Sequence, residues 1–257
     1  ARSATDSLAR WNPACVVQVA ETTDHLPATG GDPIGVDWGV SEIATTTSDN
    51  HDLPHHQRGK NAAAGLARYQ RRMARRKPKK GQPGSRGYQA AKKQAAVAHK
   101  KIARQRQDDG RKWAKNLVRD HDRIAVEDFK PKFMASNRGL ARKAADGAIA
   151  ATKTELIWMA TKHGRDLRLV NPAHTTMDCS ECDARAKHQL NLSERTYTCQ
   201  ACGVVKPRDK NSAAVMVVRA FGPAAVSAGT SEARAGSDPE DVEGNKTEGP
   251  RRGHQAA

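Results

Sequence analysis

The stretch "IGVDWGVSEIATTT", residues 34–47, combines the pattern of a buried strand with a charge in its middle. Ile34 and Val36 are typical of a strand in a covered sheet, and residues 43–47 favour a hairpin partner. Asp37 interrupts this apolar pattern. Because a buried carboxylate without a partner is costly, such a residue is usually retained where a cation or a metal lies beside it. The stretch therefore predicts a β-hairpin whose carboxylate needs a positive neighbour.

The composition bounds the class of protein. The chain has 257 residues, a formal net charge of +16, 37% hydrophobic residues and 28% charged residues. This length suits one large domain, or one domain with a smaller module, and the charge predicts a polyanionic partner, either nucleic acid or an acidic membrane face. No apolar stretch approaches the roughly 18 residues of a membrane span. We therefore expect a cytoplasmic protein whose cysteines are reduced or metal-bound.

Apolar periodicity and turn residues predict the order strand hairpin, helices, strand, helix, strand, helix. The predicted elements are a strand at 12–23, a meander at 34–54, two helices within 59–120 interrupted by a basic turn at 77–87, a strand at 123–129, a helix at 140–164, a strand at 165–175 and a helix at 208–222. This order favours an α/β fold in which helices cover a mixed sheet.

The two ends of the chain differ from this pattern. Residue 1 is alanine, and we expect residues 1–30 to be the final strand of an N-terminal domain that is mostly absent. Residues 223–257 are rich in Gly, Pro, Ser and charge, which predicts a disordered tail. Cys15 lies among apolar neighbours in the first predicted strand, which indicates a buried thiol.

The predicted helices at 59–120 carry a long basic run without acidic residues up to residue 107. A solvated helix normally mixes signs, because opposite charges at i,i+4 add about 0.2–0.5 kcal/mol per pair. The missing acids predict that phosphates neutralise the run, and the alternative is a solvated hairpin without a partner. The residues predicted to bind nucleic acid are Arg68, Arg71, Arg72, Arg75, Arg76, Lys77, Lys79, Lys80, Lys92, Lys93, Lys100, Lys101 and Arg104. Arg86 and Arg106 belong to the same run.

Four cysteines form a metal-ligand pattern. Cys179 and Cys182 make one C-x2-C, Cys199 and Cys202 make another, and sixteen residues separate the pairs. This is the spacing of a zinc ribbon, in which two thiolate pairs close a tetrahedron around one ion. Because all four positions are filled by sulfur, the sequence predicts a structural Zn²⁺ site at residues 176–206, with free or redox-active thiols as the alternative.

Three acids stand out by position: Asp37 within a predicted strand, Glu127 at the end of another, and Asp209 at the start of the last predicted helix. Taken singly, Asp37 could be a turn residue, Glu127 a solvated acid at a strand end, and Asp209 a helix cap. Taken as one cluster in a basic protein, they would repel one another unless divalent cations bound there, and hard oxygen ligands select Mg²⁺ or Mn²⁺. Two such ions about 3.5–4 Å apart clamp the attacking water and the leaving oxygen of a phosphodiester.

Four motifs, in this order, resemble the OrfB/TnpB-type proteins of bacterial insertion sequences, which are related to the type V CRISPR nucleases. The motifs are "GVDWGVSEIATTT", "IAVEDFKPKFM", the cysteine region "CSECDARAKHQLNLSERTYTCQACG" and "RDKNSAA", and the resemblance runs from about residue 10 to residue 220. It implies a RuvC-like nuclease of RNase H-like fold, split in the sequence, with a zinc ribbon before its last acidic motif. The core would span residues 31–175 with the basic hairpin inserted, and residues 207–222 would supply the last nuclease motif and helix.

The resemblance also implies roles and partners. Asp37, Glu127 and Asp209 would be the metal-binding catalytic acids, and Cys179 with Cys182, Cys199 and Cys202 would bind structural zinc. Proteins of this type use a transposon-derived guide RNA and cut matching DNA in a prokaryotic cytoplasm, where they would associate with the nucleoid. The family commonly has an acid two residues before the third catalytic acid, where this chain has Pro207.

Three functions stay open on these grounds. The first is a transposon-encoded, metal-dependent DNA endonuclease that is RNA-guided when intact and acts in transposition and recombination. The second is a catalytically silent nucleic-acid-binding remnant or regulator on the same fold. The third is a strand-transfer transposase, which would join 3′ ends to new DNA.

Overall fold

A mixed five-stranded sheet covered by helices forms the centre of the molecule, in a computed structural model that describes residues 2–5, 11–14, 25–128, 138–191 and 193–227. The strands are β1 Arg2–Thr5, β2 Trp11–Ala14, β3 Ile34–Trp38, β4 Glu42–Thr46, β5 Leu53–Pro54, β6 Arg123–Glu127, β7 Asp166–Val170, β8 Thr196–Thr198 and β9 Val205–Pro207. The helices are α1 Arg58–Arg75, α2 Arg86–Asp120, α3 Arg138–Gly147, α4 Ile149–Lys162, α5 Arg208–Phe221 and α6 Ala224–Ser227. The α/β class predicted from the sequence is confirmed.

The central sheet has the order β5-β4-β3-β6-β7, while β1 with β2 and β8 with β9 form separate two-stranded sheets. Strand β4 pairs antiparallel with β3 on one side and with β5 on the other, as in the predicted meander. Strand β3 pairs in parallel with β6, and β6 pairs in parallel with β7. Ile34 faces Ile124 and Val36 faces Val126 in this register, and all four are buried because helices cover both faces.

Helices α1 and α2 form the predicted hairpin between β5 and β6. Helix α2 begins after Ser85, whose hydroxyl accepts a hydrogen bond from the Tyr88 amide at 3.3 Å. Its second half enters the core through Trp113, Leu117 and Val118, and Trp113 packs edge-on against a tryptophan of β3 with 5.8 Å between ring centroids. No residue of α1 is buried. The second half of α2 therefore anchors the hairpin in the core, and α1 lies outside it.

The prediction of one helix over 140–164 is wrong at one point, because the helix is interrupted at Ala148, between α3 and α4. Ala148 adopts a left-handed conformation with φ of 54°, which interrupts the helical hydrogen bonds. Asp146, beside the break, accepts hydrogen bonds from the amides of Gly59 (2.7 Å) and Lys60 (3.0 Å) at the start of α1. A distant contact thus accompanies a kink that local periodicity does not contain.

Helix α5 lies directly on the central sheet, over β3 and β6. Gly35 permits this approach: a Cβ atom there would overlap the carbonyl oxygen of Ala213 and lie 2.7 Å from its carbonyl carbon. Ala213, Met216 and Val217 are buried in this contact. The close packing sets the distance between the first turn of α5 and the end of β3.

The ends of the chain are described in part. Strand β2 covers the start of the strand predicted at 12–23, and the predicted buried thiol Cys15 lies outside the described residues. Residues 224–227 form the short helix α6, so the predicted disorder does not begin at residue 223, and residues 228–257 lie outside the described part. Within that part, no helix combines the length and apolar character needed to cross a membrane.

Candidate active site and metal centre

Two of the predicted acids lie side by side on neighbouring parallel strands. Because Val36 of β3 faces Val126 of β6, the next residues, Asp37 and Glu127, occupy adjacent positions near the carboxyl ends of the two strands. Asp209 joins them from the first turn of α5, which packs on β3 at Gly35. The structure therefore brings the three acids together at the carboxyl ends of β3 and β6.

Electrostatics at Asp37 reflect this convergence. Burial raises the pKa of the Asp37 carboxyl well above its usual 3.8, and the charges of Glu127 and Asp209 raise it further. The nearby Arg208 guanidinium opposes this effect and does not cancel it. A carboxyl with this shift binds a proton readily in the absence of a cation, and a divalent ion bound beside it would take the place of that proton.

Glu127 is oriented by Trp38, the residue that follows Asp37. The Trp38 amide donates to Glu127 Oε2 at 3.1 Å, and its indole Nε1 donates to the Glu127 carbonyl oxygen at 3.3 Å. Burial raises the pKa of the Glu127 carboxyl, while the Trp38 amide and the charge of Lys153 lower it. Trp38 is itself 5% exposed, so a core side chain holds a site residue in place.

Asp209 faces two arginines. Arg208 Nε lies 3.1 Å from Asp209 Oδ1, and Arg195 Nη1 lies 3.4 Å from Asp209 Oδ2. Arg195 also donates from Nη2 to the Ser41 hydroxyl at 3.4 Å. Sequence reasoning missed Arg195, because no local pattern marks it: the amide of Arg208 donates to the Arg195 carbonyl oxygen at 2.7 Å, and this long-range contact brings the side chain to the site.

The three carboxylates meet more loosely than the cysteines do. In the described part of the chain, the cysteines are the one set of three or more His, Cys, Asp or Glu side chains whose ligand atoms gather within 4.8 Å. The donor set still fits Mg²⁺ or Mn²⁺, because it consists of hard oxygen ligands.

The four cysteines fit a tetrahedral metal ion. Cys179 Sγ lies 3.7 Å from Cys202 Sγ, and Cys182 Sγ lies 3.6 Å from Cys199 Sγ. A Zn–S bond of about 2.3 Å requires tetrahedron edges of about 3.8 Å, whereas a disulfide would need about 2.05 Å. The four thiols are free, and the Glu181 amide points at Cys179 Sγ at 3.4 Å.

The pKa values of the cluster thiols shift in different directions, and burial raises the pKa of Cys179. The backbone amide of Cys202 is the largest influence on Cys199, whose pKa falls to about 6 and favours the thiolate that binds metal. The pKa of Cys182 rises to about 12 although the Ala184 amide lowers it, because burial and the neighbouring thiols favour its protonated form. A metal ion bound by the four sulfurs would displace the protons that remain on them.

The basic hairpin of α1 and α2 presents the predicted nucleic-acid-binding side chains outward. All of them are exposed except Lys100, which is half-buried. Arg106 of the same run instead pairs with Asp146, and Arg58 makes a two-point contact with Asp109, 3.0 Å at each bond. Both acids lie at the base of the hairpin, so they fix its attachment and leave its outer part uniformly positive.

Two family models match consecutive parts of the chain. Residues 16–138 match the OrfB_IS605 family, described as "Probable transposase", and residues 151–216 match the "Cas12f1-like, TNB domain". The chain is therefore similar to the OrfB_IS605 family over residues 16–138 and to the Cas12f1-like TNB domain over residues 151–216. The resemblance to OrfB/TnpB-type proteins inferred from the sequence is confirmed.

Particular relatives agree with this class. The chain is 28% identical over 210 residues to a "Putative RNA-guided DNA endonuclease" of Streptomyces pristinaespiralis, covering 81% of this chain and 49% of the relative. It is 27% identical over 195 residues to the "Putative RNA-guided DNA endonuclease InsQ" of Escherichia coli K12, covering 70% and 47%. The chain thus spans about half the length of these curated relatives.

A solved structure supports the fold assignment. The chain of the "Cas12f1-sgRNA-target DNA complex" superposes with a TM-score of 0.51 at 16% identity, covering 74% of this chain and 50% of that one. At this identity the likeness concerns the fold alone.

Proposed function

We propose that this chain is the nuclease part of a transposon-associated, RNA-guided DNA endonuclease with a RuvC-like active site. The convergence of Asp37, Glu127 and Asp209 at the carboxyl ends of β3 and β6 carries this proposal, because such a cluster is costly unless cations and phosphates bind there. The relatives named as RNA-guided DNA endonucleases support the same class.

The three acids share one task in the proposed reaction, which is to bind the divalent ions. Asp37, Glu127 and Asp209 bind Mg²⁺ or Mn²⁺ through their carboxylate oxygens, and Trp38 keeps Glu127 turned toward the site. Divalent ions bound there would supply an activated water and charge stabilisation for hydrolysis of a DNA phosphodiester. Arg195 lies at the mouth of the site with its side chain 56% exposed, where its guanidinium can contact a phosphate.

The remaining elements serve binding and stability. The four cysteines bind a structural Zn²⁺ in a ribbon at residues 176–206, between the nuclease core at 31–175 and its last motif at 207–222. The exposed cations of α1 and α2 bind phosphates of DNA or of a transposon-derived guide RNA, in the nucleoid of a prokaryotic cytoplasm. The uniform sign of this surface supports the assignment, since phosphate neutralisation relieves its self-repulsion.

The test is a cleavage assay on the chain expressed with any upstream coding sequence in frame and with its flanking DNA. Co-purified RNA is sequenced, and matching DNA is offered with Mg²⁺ to the wild type and to Asp37→Ala, Glu127→Ala and Asp209→Ala. Asp166→Ala is the matched control, because Asp166 begins β7 at the opposite end of the sheet and its carboxylate pairs with Arg168, away from the acid cluster.

We expect cuts that require the RNA match, the metal and each of the three acids, with nucleic-acid binding and the Asp166 variant unaffected. Cleavage that survives a clean single substitution would remove that acid from the site. Binding without any cut would identify a catalytically silent binder, and products with 3′ ends joined to new DNA would identify a strand-transfer enzyme.

A further inference from the structure

The first turn of α5 connects the two candidate sites. Asp209 and Asn211 are two residues apart, which in an α-helix places their side chains about 200° apart around the axis. Asp209 faces the acid cluster, whereas Asn211 faces the loop between Cys179 and Cys182. One rigid turn of helix therefore touches the nuclease site on one side and the cysteine centre on the other.

The Asn211 side chain forms hydrogen bonds to the cysteine loop, residues 178–182, through both ends of its amide. Its Nδ2 donates to the Asp178 carbonyl oxygen at 2.8 Å, and its Oδ1 accepts from the Ser180 amide at 3.1 Å. Asn211 is 0% exposed, so neither contact competes with water. In this loop the Glu181 amide is directed at Cys179 Sγ. The neighbouring Ser180 amide is satisfied by Asn211 instead of by a sulfur atom.

Further contacts attach α5 to the segment that carries the four cysteines. Strand β9 ends at Pro207 and α5 begins at Arg208, so no linker separates them. The Asp178 carboxylate binds Arg219 near the far end of α5 at 2.7 Å. A shift of the cysteine loop would therefore move α5 as a unit, and Asp209 with it.

We propose that the four-cysteine centre positions the nuclease site, and that Asn211 is the positioning residue that transmits the effect to Asp209. The inference rests on the proposed function in taking Asp209 as a ligand for a divalent ion. When the cysteine centre holds its metal, the loop is closed and Asn211 fixes the first turn of α5 against β3. When the loop is open, the Asp209 carboxylate moves away from its position beside Asp37 and Glu127.

The test compares Asn211→Ala with Ser212→Ala. Ser212 is the adjacent residue and is equally buried, but its hydroxyl donates to the Thr175 carbonyl oxygen at 3.5 Å, outside the cysteine loop. Zinc content and the Co²⁺-thiolate spectrum report the cysteine centre, and Mn²⁺ binding that is abolished by Asp37→Ala reports the acid cluster. Neither readout depends on cleavage.

Both variants should hold one zinc ion per chain. We expect Asn211→Ala to bind Mn²⁺ at the acid cluster about 10-fold more weakly, as for other residues that orient metal ligands, and Ser212→Ala to match the wild type. Wild-type Mn²⁺ affinity in a zinc-loaded Asn211→Ala protein would overturn the proposal, and so would an equal loss in Ser212→Ala.

A second measurement on the wild-type chain covers the case in which Asn211→Ala does not fold. Zinc is removed with a thiol-selective mercurial, and amide hydrogen exchange is followed at residues 212–215, whose amides bond to the carbonyls of the preceding helical turn. Faster exchange there, with α2 unchanged, is expected, and unchanged exchange would refute the coupling. If the wild type shows no Asp37-dependent Mn²⁺ binding, the proposed function fails, while the exchange result still decides whether the cysteine centre holds α5.

Discussion

Replacing Gly35 with alanine should damage stability and the active site together. A Cβ atom at this position would overlap the Ala213 carbonyl oxygen, and it would lie 2.7 Å from the Ala213 carbonyl carbon and 2.9 Å from Val217 Cγ2. Carbon atoms pack at about 3.5–4.0 Å, so α5 must move from β3 by about 1 Å. Because backbone atoms make the closest contacts, rotation of a side chain cannot relieve them.

The structure sets the size of both effects. Overpacking of a well-packed core costs about 1–3 kcal/mol, and a backbone clash belongs at the upper end, so we expect about 3 kcal/mol. For a chain of this size that loss lowers Tm by roughly 6–12 °C. A displacement of about 1 Å between Asp37 and Asp209 should lower metal-dependent cleavage about 100-fold. Nucleic-acid binding should be preserved, since the basic hairpin belongs to α1 and α2.

Gly65→Ala provides the matched control for this substitution. Gly65 lies within α1, where an added Cβ atom would meet nothing within 4 Å, so alanine there should stabilise the helix by about 0.5–1 kcal/mol. Urea and thermal unfolding measure both variants beside the wild type, and the cleavage assay follows. Equal stability of the Gly35 and Gly65 variants, or full cleavage by Gly35→Ala, would refute the packing explanation of how Asp209 reaches the site.

Three further predictions concern charge and metal. In metal-free buffer the free energy of unfolding should fall as pH rises from 3.8 toward the raised pKa of Asp37, because the folded state binds the proton more tightly. Asp37→Asn should therefore gain more in Tm over the wild type at pH 8 than at pH 4, and an equal gain at both would count against it. Cys179→Ser should lower zinc content below one ion per chain by mass spectrometry and lower Tm, since metal binding of this type contributes to folding; undiminished zinc would exclude Cys179 as a ligand. Arg72→Ala with Arg75→Ala should reduce the slope of log K against log salt for duplex DNA by about 0.9 per residue, while Lys112→Ala, whose ammonium pairs with a neighbouring aspartate on α2, should leave the slope unchanged.

Local patterns in the sequence account for a large part of this protein. The apolar pattern around Asp37 predicts β3 and β4, and the helical composition of residues 59–120, interrupted by the turn at 77–87, predicts the hairpin of α1 and α2. The two C-x2-C pairs predict a four-cysteine cluster, and the structure gathers it at distances that fit a metal ion. These features can be predicted from the sequence, because the period of a strand, the period of a helix and the spacing of a metal-binding loop each involve only a few consecutive residues.

Contacts between distant residues decided the rest. Asp146 contacts the start of α1 beside the break at Ala148, and the β8–β9 pairing carries Arg195 to Asp209. Asn211 looks like an ordinary polar residue in a short helix until the fold buries it against the cysteine loop. The sequence by itself determined which residues could bind metal and phosphate, because residue type and short spacing define that chemistry. Only the tertiary structure decided which of them meet, because sheet register and the packing of α5 on β3 join segments that lie far apart in the chain.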